Sequence, residues 1–264
     1  MLMPSPNWCA LMEENGRMHI FEIVDEKIKI KGLGVFNPIV TLNGISVGDE
    51  VGLGQKILTR VEPRLPEMIN GMLRRAQTIS GKDAGQFITR LGLGPGDTVL
   101  EAGLGSAGSA MHIARILGNS GHHITVEPRE EHAEVGLENL RRAAAFFQEF
   151  PKHTHLSGFV EELEGEIAET LENDSLDAVI LDMPEHAKSI KTCYPFMSKG
   201  ARMACYAPTT IQLEAAWDAC EEMGLTVEWA GEVIERPWSR ASKGGLKPSK
   251  GDFGHTAFLL FAKK

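Results

Sequence analysis

Residues 98–108 read Thr98-Val99-Leu100-Glu101-Ala102-Gly103-Leu104-Gly105-Ser106-Ala107-Gly108. An apolar, β-branched run that favours a strand enters three glycines and continues into Ser109–Leu117, which reads as a helix. Glycine lets the backbone turn tightly and lets a ligand approach the main chain with no Cβ in the way. The spacing Gly103-x-Gly105-x-x-Gly108 matches the strand–turn–helix fingerprint of an adenosine-bearing cofactor. Glu127 stands 22 residues after Gly105, at the end of the next expected strand, His123–Val126. A carboxylate there can accept hydrogen bonds from both ribose hydroxyls. The alternative is a tight turn that binds nothing.

A dinucleotide needs the helix N-terminus to face a pyrophosphate. S-adenosylmethionine has no phosphate; it carries an ammonium, a carboxylate and a sulfonium. Glu101, just before the glycines, suits that cation-bearing end. A helix expected at Ala84–Leu91, ahead of the strand, and two extended runs at the C-terminus fit the methyl-transfer version of the fold better than a nicotinamide version.

Outward from this turn the texture alternates. A long helix is expected at Arg129–Phe147, a strand at Ala178–Leu181, and a helix near 186–197. A strand near 202–207 and a helix at 211–223 follow. The last runs, Thr226–Ile234 and His255–Ala262, have no long helix between them and should pair as an antiparallel hairpin. The fold class is therefore α/β, a Rossmann-like, mostly parallel sheet with helices on both faces. Ligands in such sheets bind at the carboxyl ends of the strands. Asp182, which ends the 178–181 strand before Met183-Pro184, falls in the same crevice as Gly103 and Glu127. Its carboxylate can orient an amino group and stabilise developing positive charge, or cap the following helix. Asp177, at the start of that strand, lies at the opposite edge.

The first third has a β texture instead, at Met18–Val24, Lys27–Ile30, Phe36–Thr41 and Val51–Thr59, with Asn43-Gly44 and Gly48-Asp49 as turns. A small β-barrel or sandwich over 1–65 is expected, then a linker within 63–75, with the α/β domain over 66–264. The chain has 264 residues and a net charge of −9, which argues against a polycation that coats nucleic acid. No stretch approaches the roughly 20 apolar residues of a membrane span. The N-terminus lacks the basic and apolar regions of a secretory signal. Cys9, Cys193, Cys205 and Cys220 show no Cys-x-x-Cys spacing, so reduced thiols in a cytoplasmic protein are expected. His122-His123 has no third metal ligand at a useful spacing, and His153 and His155 read as loop residues, so no metal site is expected. Glu161-Glu162 and the acidic positions that follow read as a solvated helix face.

The runs Lys82-Asp83-Ala84, Val99-Leu100-Glu101-Ala102-Gly103, Glu127-Pro128-Arg129, Leu181-Asp182-Met183-Pro184 and Gly254-His255-Thr256-Ala257-Phe258-Leu259 together resemble the tRNA adenine-N1 methyltransferase family, over roughly residues 70–264. Those enzymes modify T-loop position 58, and in archaea also 57. The resemblance implies S-adenosylmethionine as methyl donor, a tRNA substrate and a homotetramer. By position, it implies that Gly103, Leu104, Gly105 and Ser106 cradle the methionine moiety, with Ala107, Gly108 and Gln77 beside it. Glu127 and Pro128 would meet the ribose, His132 would flank the nucleoside, and Phe159 and Val160 would edge the adenine. Asp182 matches the catalytic aspartate. Two positions depart from the family pattern. Ala107 stands where the third glycine is usual, and Ser80 stands where an aromatic residue near the target base is usual.

Segment 236–250 holds Arg236, Arg240, Lys243, Lys247 and Lys250 with no acidic residue, and Arg74-Arg75 forms a second basic pair. Both are read as phosphate contacts, with Trp238 as a stacking platform; a solvated loop, or a subunit contact for Trp238, is the alternative. Tyr206 either lines the base pocket or packs in the core. His255 either orients Asp182 or a substrate group, or begins a buried strand. Two further readings stay open: a methyltransferase of another substrate, and a non-catalytic RNA-binding subunit. The presence of Gly103, Gly105, Glu127 and Asp182 argues against the second.

Overall fold

The computed structural model describes residues 8–249 and 255–264. The chain opens with β1 (Trp8–Glu13), β2 (Met18–Glu22), β3 (Ile28–Ile30), β4 (Gly34–Phe36), α1 (Pro38–Thr41), β5 (Glu50–Leu53) and β6 (Lys56–Val61). An antiparallel sheet of order β2-β1-β6-β5 forms the body of this β-rich region, and β3 pairs with β4 beside it. Its core is small and aromatic, with Phe21 edge-on to Phe36 at 5.5 Å over Leu11, Val51 and Leu58. Three expectations are corrected here. The run Phe36–Thr41 is not one strand, because the Asn37 side chain accepts from the Val40 amide at 3.2 Å and Pro38 starts a helical turn. The run Val51–Thr59 is a hairpin, broken at Gly54 with φ +62°. The segment 63–75 is not purely linker, since α2 (Leu65–Gly71) lies within it.

The remaining elements are α3 (Gly81–Leu91), β7 (Thr98–Ala102), α4 (Gly108–Leu117), β8 (His122–Val126), α5 (Glu130–Phe146), β9 (Lys152–Leu156) and α6 (Glu164–Thr170). Then come β10 (Leu176–Leu181), α7 (His186–Cys193), β11 (Met197–Ala207), α8 (Thr210–Glu222) and β12 (Thr226–Gly231). A small hairpin, β13 (Trp238–Arg240) with β14 (Leu246–Pro248), precedes β15 (Phe258–Lys263). The main sheet has the order β12-β15-β11-β10-β7-β8-β9. Only β15 runs antiparallel to its neighbours, which fulfils the expected reversed ending. The central strands are covered on both faces, so Val99, Leu100, Val179 and Ile180 are fully buried. Trp8, Met18 and Ile20 of the first region share a core with Met68 and Met72 and with Leu104, Met111 and Leu140 of the α/β part.

His153 and His155 are not loop residues. They lie on β9, at the sheet edge, where both imidazoles reach the Thr125 hydroxyl, at 3.0 and 3.1 Å. The polar sequence Lys152-His-Thr-His hides this strand. All four cysteines are buried free thiols. Asp177 is exposed at the far edge and accepts from the Thr98 amide at 2.8 Å.

Candidate active site

The ends of β7, β8 and β10 are knitted together by backbone bonds. The Gly103 amide donates to the Asp182 carbonyl at 3.1 Å, and the Asp182 amide donates back to Ala102. The Leu104 amide donates to Val126 at 3.0 Å. The Gly105 amide donates to Glu127 Oε2 at 2.9 Å. A Cβ on Gly103 would sit 3.2 Å from that same oxygen, and one on Gly108 would sit 2.9 Å from the Thr78 Cβ. Neighbouring protein groups therefore leave no room for a side chain at either glycine. Ala107 caps α4 in the left-handed region, at φ 63°, with its methyl group buried.

Three carboxylates converge on this rim. Glu127 is fully buried; burial pushes its carboxyl up, but hydrogen bonds from Arg129 and from the Gly105 amide outweigh that and hold it below its ordinary value. Arg129 Nε meets Glu127 Oε1 at 2.8 Å. Glu101 is buried and paired with His123 Nε2 at 2.9 Å. Asp182 is pushed up to about 7, first by burial and then by the charges of Glu101 and Glu127, with Arg129 opposing.

Two chambers meet at these groups. One, of about 320 Å³, is lined by residues 76–79, Gly103, Gly105, Tyr206, Gln212 and Thr256. The other, of about 190 Å³, is apolar and is lined by Pro128, Phe159, Val160, Met183 and Pro184. Gly103, Glu127, Arg129 and Asp182 border both. A small recess behind the turn touches Gln77, Glu101, Leu104, Ser106, Gly108 and Ser109. A flat apolar slot, a buried carboxylate beside it and an open glycine turn fit the adenine, ribose and methionine parts of S-adenosylmethionine. His132 lies one turn into α5, half-buried, and borders none of these spaces.

Tyr206 is buried yet lines the larger chamber, so the two readings of it coexist. Two readings of His255, a bond to Asp182 and the start of a buried strand, are corrected. It is exposed ahead of β15, and its partners are Glu232 Oε2 at 2.8 Å and the Pro208 carbonyl at 3.2 Å rather than Asp182. Two acceptors on its two ring nitrogens favour the imidazolium, and the Glu232 bond raises its pKa. Arg74 and Arg75 are exposed next to the 76–79 wall, whose backbone is held by Ser106 Oγ accepting from the Arg75 and Ala76 amides at 3.0 Å. Arg236, Arg240, Lys243 and Lys247 are exposed on or beside the β13–β14 hairpin, with Trp238 across from Pro248. Lys250 lies outside the described residues. Sequence reasoning missed Thr78, Gln212 and Thr256; each enters the site only through long-range packing that no local pattern encodes.

Among the described residues no group of three or more His, Cys, Asp or Glu side chains could hold a metal, and no helix is long and apolar enough to cross a membrane. The sheet and site define an S-adenosylmethionine-dependent methyltransferase of the Rossmann-like class I. A solved S-adenosylmethionine-dependent O-methyltransferase from Thermotoga maritima superposes with a TM-score of 0.76 at 24% identity, covering 99% of this chain and 94% of that one. Residues 61–243 match the family model of the tRNA methyltransferase complex GCD14 subunit. The chain is 26% identical to the tRNA (adenine(57)-N(1)/adenine(58)-N(1))-methyltransferase TrmI of Methanocaldococcus jannaschii, over 96% of this chain and 93% of the relative. It is 32% identical to the tRNA (adenine(58)-N(1))-methyltransferase TrmI of Thermus thermophilus, over 80% of this chain and 78% of the relative. The chain belongs to the tRNA adenine-N1 methyltransferase family.

Proposed function

We propose that this protein transfers a methyl group from S-adenosylmethionine to N1 of an adenine in the T-loop of tRNA, with Asp182 as the catalytic residue. The observation that carries this reading is the meeting of an apolar slot and a wider polar chamber at the Asp182 carboxyl. S-adenosylmethionine supplies, when bound, an electrophilic methyl group on a sulfonium. The chain's own residues bind and align. Glu127 holds the ribose, Phe159, Val160 and Pro128 flank the adenine, and the 103–108 turn with Gln77 and Glu101 receives the amino-acid end.

On the acceptor side, the Asp182 carboxylate accepts from the exocyclic amino group of the target adenine. That bond points N1 along the line of attack and favours the positive charge that develops on the ring. Alignment of two reactants can supply about 7–11 kcal/mol of the barrier. The target base must leave its stack to enter the chamber, at a cost of about a few kcal/mol.

Shape and backbone charge recognise the folded RNA. The hairpin cations and Arg74-Arg75 contact phosphates, and Trp238 offers a stacking face. A homotetramer repeats these patches and focuses the field of an otherwise acidic protein. Four unpaired thiols support a cytoplasmic setting. The test is transfer of a tritiated methyl group to bulk tRNA, with mass mapping of the product. N1-methyladenosine in a T-loop fragment is expected. Methylation of a small molecule or protein but not of RNA would overturn the reading.

A further inference from the structure

The mechanism above leaves one buried histidine unused. His123 and Glu101 are 0% and 1% exposed, and His123 Nε2 lies 2.9 Å from Glu101 Oε2. The sheet sets this geometry. Strands β7 and β8 pair in parallel, with Val99 opposite His123 and Glu101 opposite Thr125. Side chains alternate along a strand, so His123 and Glu101 are diagonal neighbours on one face. The next strand closes the far side. The His153 ring stands edge-on to His123 at 5.9 Å and is itself bonded to the Thr125 hydroxyl at 3.0 Å.

The bond has one direction. The other ring nitrogen, His123 Nδ1, is buried without a partner. An imidazolium, or the tautomer protonated at Nδ1, would leave that N–H unpaired in the interior. The neutral ring protonated at Nε2 leaves only a lone pair there and donates to Glu101, whose carboxylate can only accept. Glu101 thus keeps its charge with one oxygen held. The second oxygen, Oε1, has no hydrogen-bond partner among the described residues. Glu101 lines the recess of about 20 Å³ behind the turn, together with Ser109, whose hydroxyl is likewise buried without a partner. A water molecule needs about 10–15 Å³, so the recess has room for one group of that size, and a protonated amine is one. An uncompensated carboxylate beside an orphan hydroxyl selects a cation with protons to donate.

We propose that His123 is a positioning residue that fixes Glu101 as the acceptor for the ammonium group of the cofactor: His123 Nε2–H holds Oε2, and Oε1 is left for the amine. The inference rests on the reading that the 103–108 turn receives the amino-acid end of S-adenosylmethionine. It goes further in giving the amine to one carboxylate oxygen and the aim of that oxygen to a histidine on the neighbouring strand. Without the donor, the Glu101 side chain regains rotamer freedom that binding must remove again. The loss then falls on ligands that carry the amine and spares those that lack it. Asp182 borders the same recess, so the test separates the two carboxylates.

The experiment titrates two ligands calorimetrically into the full chain: S-adenosylhomocysteine, and its analogue with hydrogen in place of the α-amino group. The ratio of the two affinities is measured for the wild type and for Glu101→Gln, His123→Leu, His123→Asn and His123→Gln. The wild type is expected to favour the amine by about tenfold or more, the effect of one charge-assisted hydrogen bond. Glu101→Gln is expected to remove most of that preference. His123→Leu and His123→Asn place no donor at the Nε2 position, and are expected to lower the preference about fivefold while affinity for the deaminated analogue stays within about twofold. His123→Gln, whose side-chain amide reaches that position, is expected to keep the preference. An unchanged preference in the leucine and asparagine variants, or equal losses on both ligands, would overturn the proposal. So would a glutamine variant that loses as much as the leucine variant, since packing of the ring and not its bond would then matter. A preference that survives Glu101→Gln would also overturn it, since Asp182 would then hold the amine. Equal affinity of the wild type for both ligands would overturn the ammonium subsite while leaving the cofactor in place, whereas binding of neither would overturn the cofactor-binding reading itself.

Discussion

The Gly103 amide donates to the Asp182 carbonyl at 3.1 Å, so the glycine turn after β7 and the carboxylate after β10 share one rim of the sheet. The two strands are paired in register up to Leu181 opposite Ala102. Asp182 is therefore placed by the most deeply buried strands of the fold, not by a loop of its own. Such a site is stiff, and stiffness is what alignment catalysis requires.

The pH dependence follows from the Asp182 carboxyl, pushed up to about 7 chiefly by burial and then by Glu101 and Glu127. Between its ordinary value of 3.8 and 7, the folded chain holds a proton that the unfolded chain has lost. This group's contribution to stability therefore declines as pH rises across that window. The transfer step needs the carboxylate to accept from an amino group. The rate at saturating substrates is expected to rise with pH and level off at a midpoint of 7 or below, because a cationic cofactor nearby lowers the value. Asp182→Asn is expected to abolish this limb. A profile that is flat in the wild type, or falls as pH rises, would contradict the assignment.

The hairpin cations give a prediction about salt. Replacing Arg240, Lys243 and Lys247 together by glutamine is expected to weaken tRNA binding and to reduce the slope of log K against log salt by about 2–3, at roughly 0.7–0.9 for each phosphate no longer neutralised. Filter binding over a salt series checks this. A lower affinity with an unchanged slope would show that the hairpin does not reach phosphate.

Ala107 tests the departure from the family's glycine. A left-handed alanine costs roughly 1–2 kcal/mol, while burial of its methyl group contributes about 0.8 kcal/mol. Ala107→Gly relieves the strain but loses the methyl group and raises unfolded-chain entropy, so the melting temperature is expected to move by no more than about 2 °C. Ala107→Val combines a β-branched residue at φ 63° with over-packing, and is expected to cost about 3 kcal/mol, read by thermal unfolding. A valine variant as stable as the wild type would contradict the strained geometry.

The α/β half of the chain is legible because its strands are apolar runs that end at functional residues. Thr98–Ala102 and Leu176–Leu181 give away both their structure and their rim. The edge strand β9 is not legible, since its histidines and threonine face polar neighbours rather than a core. Likewise α1 is hidden behind an isoleucine–valine pair that reads as a strand until the Asn37 cap is counted. In the site, Glu127 and Asp182 follow from spacing along the chain. The bond between Asp83 and Thr256 does not, because it joins residues 173 apart and only the closed sheet brings them together. The link from His255 to Asp182 is misjudged from sequence because Glu232, directly after β12, takes one of its ring nitrogens.

The central claim, that the carboxyl at 182 serves the chemistry rather than the cofactor grip, is tested most directly by single-turnover methyl transfer to tRNA with the Asp182→Ala protein, alongside a titration of S-adenosylmethionine. The expected result is a rate lower by about 10²–10³-fold, the usual loss on deleting one electrostatic stabiliser, with cofactor affinity within about threefold of wild type, a difference under ~1 kcal/mol. Near-normal transfer by the alanine variant would contradict it, as would a loss explained wholly by failure to bind the cofactor.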